Sequence, residues 1–126
     1  MKKTLLILSV IVFISLASCD DFNPYASFSP PSWIIGTWGD GGLGYVSYTF
    51  SADNILSTST SITVDFKQAY TEAEIDEEKT DTLYEVTITY AGTINIYRFE
   101  KKTDTTLDYS ITTIGITVGP VELIRN

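Results

Sequence analysis

The sequence predicts an all-β domain, an antiparallel sheet of about eight short strands closed as an up-and-down barrel. Three observations predict it. Apolar and polar residues alternate with period two along successive runs. Turn-forming residues separate those runs. No helical period intervenes to suggest a βαβ crossover, so neighbouring strands should pair antiparallel. A sheet of this size must close or fold over to hide its edges, and a meander closes most simply as a barrel. A two-sheet β-sandwich is the competing architecture.

The first eighteen residues read as an export signal. Lys2 and Lys3 precede an apolar stretch from Leu5 to Leu16, interrupted by Ser9 and Ser15 and followed by small residues. Twelve helical residues cover about 18 Å, short of the ~30 Å hydrocarbon core, so a permanent transmembrane helix is not expected. Leu16-Ala17-Ser18-Cys19 resembles the lipobox of bacterial lipoproteins. That resemblance implies cleavage before Cys19, a diacylglyceryl thioether on its sulfur and an acylated new N-terminus. Several acyl chains anchor a protein more firmly than one, at about 0.8 kcal/mol per buried CH₂. Cys19 is the only cysteine, so no intramolecular disulfide can form and the domain depends on its core and hydrogen bonds.

Asp20 and Asp21 follow directly. Aspartate there resembles the inner-membrane retention signal of enteric bacteria, while acidic residues there also resemble the surface-export signal of the Bacteroidetes. The outer membrane or cell surface is the expected location. Residues 19–31, with three prolines and several small polar residues, suit an extended tether, and Phe22, Tyr25 and Phe28 fit either the bilayer interface or the domain.

The domain is expected over residues 32–126. Val46, Tyr48 and Phe50 share a face, as do Ile62, Val64 and Phe66. Tyr84, Val86, Ile88 and Tyr90 form the cleanest strand, followed by Leu107, Tyr109 and Ile111, and by Val121, Leu123 and Arg125. β-branched and aromatic residues carry these runs, as half-buried strands require. Turns are expected at Gly39-Asp40-Gly41-Gly42, Ser51 to Asn54, Ala91-Gly92, Lys101 to Asp104 and Gly119-Pro120. Tyr70 to Lys79 has good helix formers but little to bury, and reads as a long loop with one helical turn.

Composition limits the chemistry. After loss of residues 1–18 the chain carries six basic and sixteen acidic residues, a net charge of −10 that disfavours nucleic acid and anionic headgroups. With no histidine, and Cys19 committed to lipid, catalytic triads, thiol catalysis and zinc sites built on those residues are excluded. The glycine-rich run Gly39 to Gly44 lacks the lysine and helix of a phosphate loop. The acids of Glu72 to Glu78 match no EF-hand spacing and read as a solvated loop. No enzyme activity, metal or cofactor is expected, and a monomer is. The tyrosines line a ligand pocket or form the barrel wall.

Gly36-Thr37-Trp38 opens the first strand, and the pattern continues through Tyr48-Thr49-Phe50-Ser51-Ala52-Asp53 to Phe99-Glu100-Lys101 and Thr105-Thr106-Leu107. This resembles the short lipocalin-like lipoproteins of bacteria, within the calycin group. The resemblance implies a tryptophan packed across the closed base of the barrel under an arginine of the last strand, matching Trp38 and Arg125. It also implies a small apolar ligand at the opposite, open end, where Tyr45 and Tyr48 beside the 39–44 loop are the candidates. A protein-interaction module with a filled barrel is the alternative; a lined void of about 300 Å³ or more favours the ligand, and a packed interior the partner.

If Cys19 is the covalent anchor, Cys19→Ala abolishes incorporation of labelled fatty acid and leaves a soluble or uncleaved protein. Unchanged acylation and membrane fractionation would contradict it.

Overall fold

A computed structural model describes residues 25–126. Cys19, the lipobox, Asp20, Asp21 and Phe22 lie outside them. Nine antiparallel strands form one sheet, ordered β4-β3-β2-β1-β9-β8-β7-β6-β5. They are β1 (Gly36–Gly39), β2 (Ser47–Phe50), β3 (Ile55–Ser59), β4 (Ile62–Asp65), β5 (Glu74–Lys79), β6 (Leu83–Tyr90), β7 (Thr93–Lys101), β8 (Thr106–Thr113) and β9 (Ile116–Arg125). A 3₁₀ turn at Ser32–Ile34 precedes β1, and helix α1 (Phe66–Ala69) lies between β4 and β5.

The up-and-down antiparallel order is as the alternation requires, and no sandwich forms. The barrel does not close, however. The sheet curls through 237° and leaves β4 and β5 unpaired with each other, an open half-barrel. The reason lies in the chain between them. Asp65 ends β4 by accepting the backbone N–H of Gln68, starting α1 where a further strand residue would be. Asn54 reinforces the start of α1, accepting the N–H of Lys67 at 3.1 Å and donating to Asp65 at 2.9 Å. Phe66, grouped by sequence with Ile62 and Val64, therefore belongs to the helix. It is buried against Tyr97 and Tyr70 at ring separations of 5.0 and 5.2 Å, while Ile62 and Val64 are exposed.

The expected loop at Tyr70 to Lys79 is corrected as well, since its second half is edge strand β5. Ile75 and Glu77 sit opposite Ile88 and Val86, and Glu74, Asp76 and Glu78 on the alternate positions face water, which an edge strand tolerates. Glu77 is held from two sides. Its carboxylate accepts the N–H and hydroxyl of Ser29 at 2.9 and 3.0 Å, and the hydroxyl of Tyr84.

The tether reading fails from Ala26 onward. The segment is extended, but it lies along the gap between α1 and β5 as part of the domain. The N–H of Ala26 donates to Lys67 at 3.1 Å, and Lys79 donates to the Ser29 hydroxyl at 2.6 Å. Phe28 is 2 % exposed and packs on Phe66. The aromatic at position 28 thus belongs to the core, while Tyr25 is half exposed.

Gly119-Pro120, expected as a turn, lies inside β9, where the register slips between Tyr109 and Ile111 as a β-bulge. A Cβ on Gly119 would sit 2.7 Å from the carbonyl oxygen of Tyr109, so only glycine fits. The turn between β8 and β9 is Ile114-Gly115, both with positive φ, the two-residue type that suits a hairpin.

Replacing Phe28 by alanine removes a core ring and should cost about 3–5 kcal/mol, as buried Phe→Ala changes do. Chemical denaturation checks this. A loss below about 0.5 kcal/mol, the range of surface substitutions, would show that the segment is a tether after all.

Candidate functional site

In an antiparallel meander alternate connections fall at the same end. The 3₁₀ turn, the connections at 51–54, 80–82 and 102–105, and the C-terminus share one end, here called the base. The connections at 40–46, 60–61, 91–92 and 114–115 share the other, here called the mouth.

At the base the structure brings Gly36, Trp38 and Arg125 together. Trp38 is fully buried and its indole N–H donates to Ile34 at 2.7 Å. The Arg125 guanidinium carbon stands 4.3 Å from the centroid of the Trp38 ring. Its nitrogens donate to the carbonyls of Trp33 at 2.7 Å, Ile35 at 2.8 Å and Asp104 at 3.2 Å. Gly36 adopts φ +128°, and a Cβ there would lie 3.0 Å from Arg125 Nη1. The glycine supplies both the backbone shape and the room the arginine needs. Trp33 pins the neighbouring hairpin, donating its indole N–H to Thr80 at 2.9 Å.

Above the base the interior is filled. Phe50, Phe99, Tyr48 and Tyr109 pack with ring separations of 4.8 to 5.2 Å. Two hydroxyl pairs lie among the rings: Tyr48 donates to Tyr109 at 2.6 Å, and Tyr70 and Tyr97 share a hydrogen bond at 3.0 Å. Burial raises the Tyr48, Tyr84, Tyr97 and Tyr109 phenols above their ordinary value, and Glu77 beside Tyr84 adds to the effect there.

The two tyrosines expected to bind a ligand are not together. Tyr48 is 3 % exposed and part of the wall, whereas Tyr45 is 70 % exposed on the mouth loop. That loop is held from within. Against the desolvation that opposes it, the N–H groups of Val46, Gly44 and Tyr45 lower the pKa of the Asp40 carboxyl; they donate to it at 3.0, 2.8 and 2.6 Å. Asp40 therefore acts as a brace of the loop.

Large apolar side chains are exposed around the mouth: Leu43, Tyr45, Ile94, Ile114, Ile116 and Val118. Ile94, Ile96 and Ile114, with Gly92, Thr93, Thr112 and Gly115, line an open hollow of about 440 Å³. A second hollow of about 290 Å³ lies beneath the Asp40 loop, between Val46, Thr58 and Asn126. The sequence reading missed the apolar residues 114–118, although the alternation Ile114, Ile116, Val118 is visible in the chain; it was hidden by placing a turn at Gly119-Pro120. Among the described residues no group of three or more histidine, cysteine or acidic side chains is arranged to hold a metal ion.

Searches against family models, curated proteins and solved structures gave no match to this chain. The curled all-antiparallel sheet is consistent with a calycin-like fold.

Because the folded phenols resist ionisation while unfolded tyrosines ionise near 10, stability is intact below about pH 10 and falls as pH rises past it. Alkaline titration should show the buried tyrosines ionising together with loss of near-ultraviolet circular dichroism. Full ionisation with the fold retained would contradict the packing described.

Proposed function

We propose that this chain is a lipid-anchored, lipocalin-like module of the bacterial cell envelope, held by Cys19, whose mouth end binds a protein partner. The filled aromatic interior supports this reading most directly, because Tyr48, Phe50, Phe99 and Tyr109 occupy the space a barrel ligand needs. Further large apolar residues are exposed at the mouth. Leu43, Ile114 and Ile116 are each more than 70 % exposed at or beside connections that share the mouth end, and exposed apolar surface of this kind marks interaction sites. Neither the braced Asp40 loop nor the hydroxyl pairs present an unsatisfied group poised for chemistry, which favours recognition over catalysis.

A second reading, a small apolar ligand, is favoured by the hollow of about 440 Å³ under Ile94, Ile96 and Ile114. It lies outside the sheet's filled interior, so the ligand would sit between two hairpin tips.

Photo-crosslinking in the native host separates these readings. A benzoylphenylalanine at Leu43, Tyr45 or Ile94 should give discrete protein adducts, and one at Asp53 or Asp104 on the base should not. Absence of protein adducts at the mouth, with a small apolar molecule retained in native mass spectra, would transfer the assignment to the ligand reading. Adducts from both ends alike would overturn the placement.

A further inference from the structure

The seam between β1 and β9 is incomplete. β1 pairs with β9 only at Trp38–Arg125 and Gly39–Ile124, and the chain then turns away into the Asp40 loop. β9 runs on for eight more residues, from Leu123 back to Ile116, and among the described residues only β8 lies beside that stretch. Its outer edge therefore has no strand opposite.

Hydrogen-bond alternation identifies the outward groups. Arg125 donates its N–H to Thr105 on the β8 side, and Asn126 donates to Thr37 on the β1 side. Glu122, in step with Ile124 and Asn126, thus turns its N–H and C=O toward the open side. Beyond the bulge, Thr113 and Ile116 close a two-residue turn, so Ile116 and Val118 face β8 and Thr117 faces outward. Directly opposed residues share a face, which puts Val121, Val118 and Ile116 on the side of Tyr109, Ile111 and Thr113, the concave face of the sheet. All three are exposed there.

The other edges are guarded. β5 carries Glu74, Asp76 and Glu78 on its exposed side, and residues 26–29 lie along it. β4 is four residues long and runs into α1. The edge from Ile116 to Val121 has no charged residue; the bulge at Gly119-Pro120 interrupts it and Pro120 offers no N–H, so Thr117 and Glu122 on either side carry its outward hydrogen bonds.

We infer that β9 from Ile116 to Glu122 accepts an extended strand of the protein partner, laid antiparallel to it in line with β1. Backbone groups supply the affinity in such strand addition, and alternate side chains supply the choice of partner. Here alternate residues of the incoming strand meet Ile116, Val118 and Val121, so they are apolar. The strand's remaining residues are basic. Residues 25–126 hold six lysines and arginines against fourteen acids, and every one of the six is engaged within the fold: four with acids, Lys79 with Ser29 and Arg125 with backbone carbonyls. A second copy of this chain would bring the same negative charge and is disfavoured. This inference rests on the partner reading above.

The test uses the full-length protein in detergent and a blocked decapeptide alternating valine with lysine, read by amide hydrogen exchange. Exchange of the outward amides of Thr117 and Glu122 should slow at least tenfold with this peptide, and not with the same peptide N-methylated at every second residue. A valine–glutamate version should bind at least tenfold more weakly. Thr117→Pro should abolish the protection, while Thr117→Val, which loses the same hydroxyl contact to Thr112 but keeps the N–H, should retain it. Thermal melts of both variants establish that they are folded.

No protection of these amides by either plain peptide overturns the inference. So does equal protection by the N-methylated peptide. Protection without peptide that depends on protein concentration assigns the edge to a second copy and also overturns it. Crosslinks at Leu43 and Ile94 report on the partner reading independently, so adducts there without edge protection would leave a partner bound by another surface.

Discussion

At the short seam between β1 and β9, one side chain fastens the two halves of the sheet, beside the aromatic core that packs β2 against β6, β7 and β8. Arg125 stacks on Trp38 and donates to three backbone carbonyls, those of Trp33 and Ile35 before β1 and of Asp104 before β8. The strands it joins share only two residue pairs, so the ladder itself contributes little across this seam. A guanidinium over an indole is worth about 0.5–2 kcal/mol depending on desolvation. Hydrogen bonds from a charged donor add about 1.5–3 kcal/mol each, though not additively. The positive φ and missing side chain of Gly36 make the approach possible, and the indole N–H of Trp38 returns to Ile34 to close the cluster.

The rest of the architecture follows from what this seam does and does not cover. At the base the chain is bound tightly, and β1 can stop after four residues. Above it, the Asp40 loop folds on its own carboxylate and leaves β9 bare. Across the molecule the second opening, between β4 and β5, is filled by α1 and by residues 26–31, with Phe28 and Phe66 meeting inside it. An open sheet with one opening plugged and one exposed needs no closed ladder. Its interior is solid because phenylalanine and tyrosine rings from β2, β6, β7 and β8 meet at its centre. The space a lipocalin-like barrel gives to a ligand is here given to packing, which moves the proposed recognition to the rim and the free edge.

Much of the sheet was legible in the chain, because burial on one face imposes the period of two that Tyr84, Val86, Ile88, Leu107 and Leu123 display. The base was legible too, as the Gly-x-Trp motif names two of its three members and Arg125 shares the face of Leu123. Three features were not. Glu74 to Lys79 looks unlike a strand, because an exposed edge strand buries only Ile75 and Glu77 and carries its charges outward. Residues 26–31 look like a linker, because proline-rich extended chain has the same composition whether it spans solvent or seals a gap. Gly119-Pro120 looks like a turn, because glycine and proline serve a bulge for the same backbone reasons. Barrel closure depends on how β4 and β5 approach, a long-range geometry that no local pattern encodes.

Arg125 thus fastens β1–β2 to β8–β9 at the base. Native-state hydrogen exchange on Arg125→Met, which keeps the apolar stem and removes the guanidinium, measures that coupling. If the coupling exists, amides of β1–β2 and of β8–β9 lose protection together and by the same factor, because one contact set supported both. Protection lost only at Trp33, Ile35 and the chain terminus, with both strand pairs unchanged, would show that the sheet coheres without the arginine and would contradict the account.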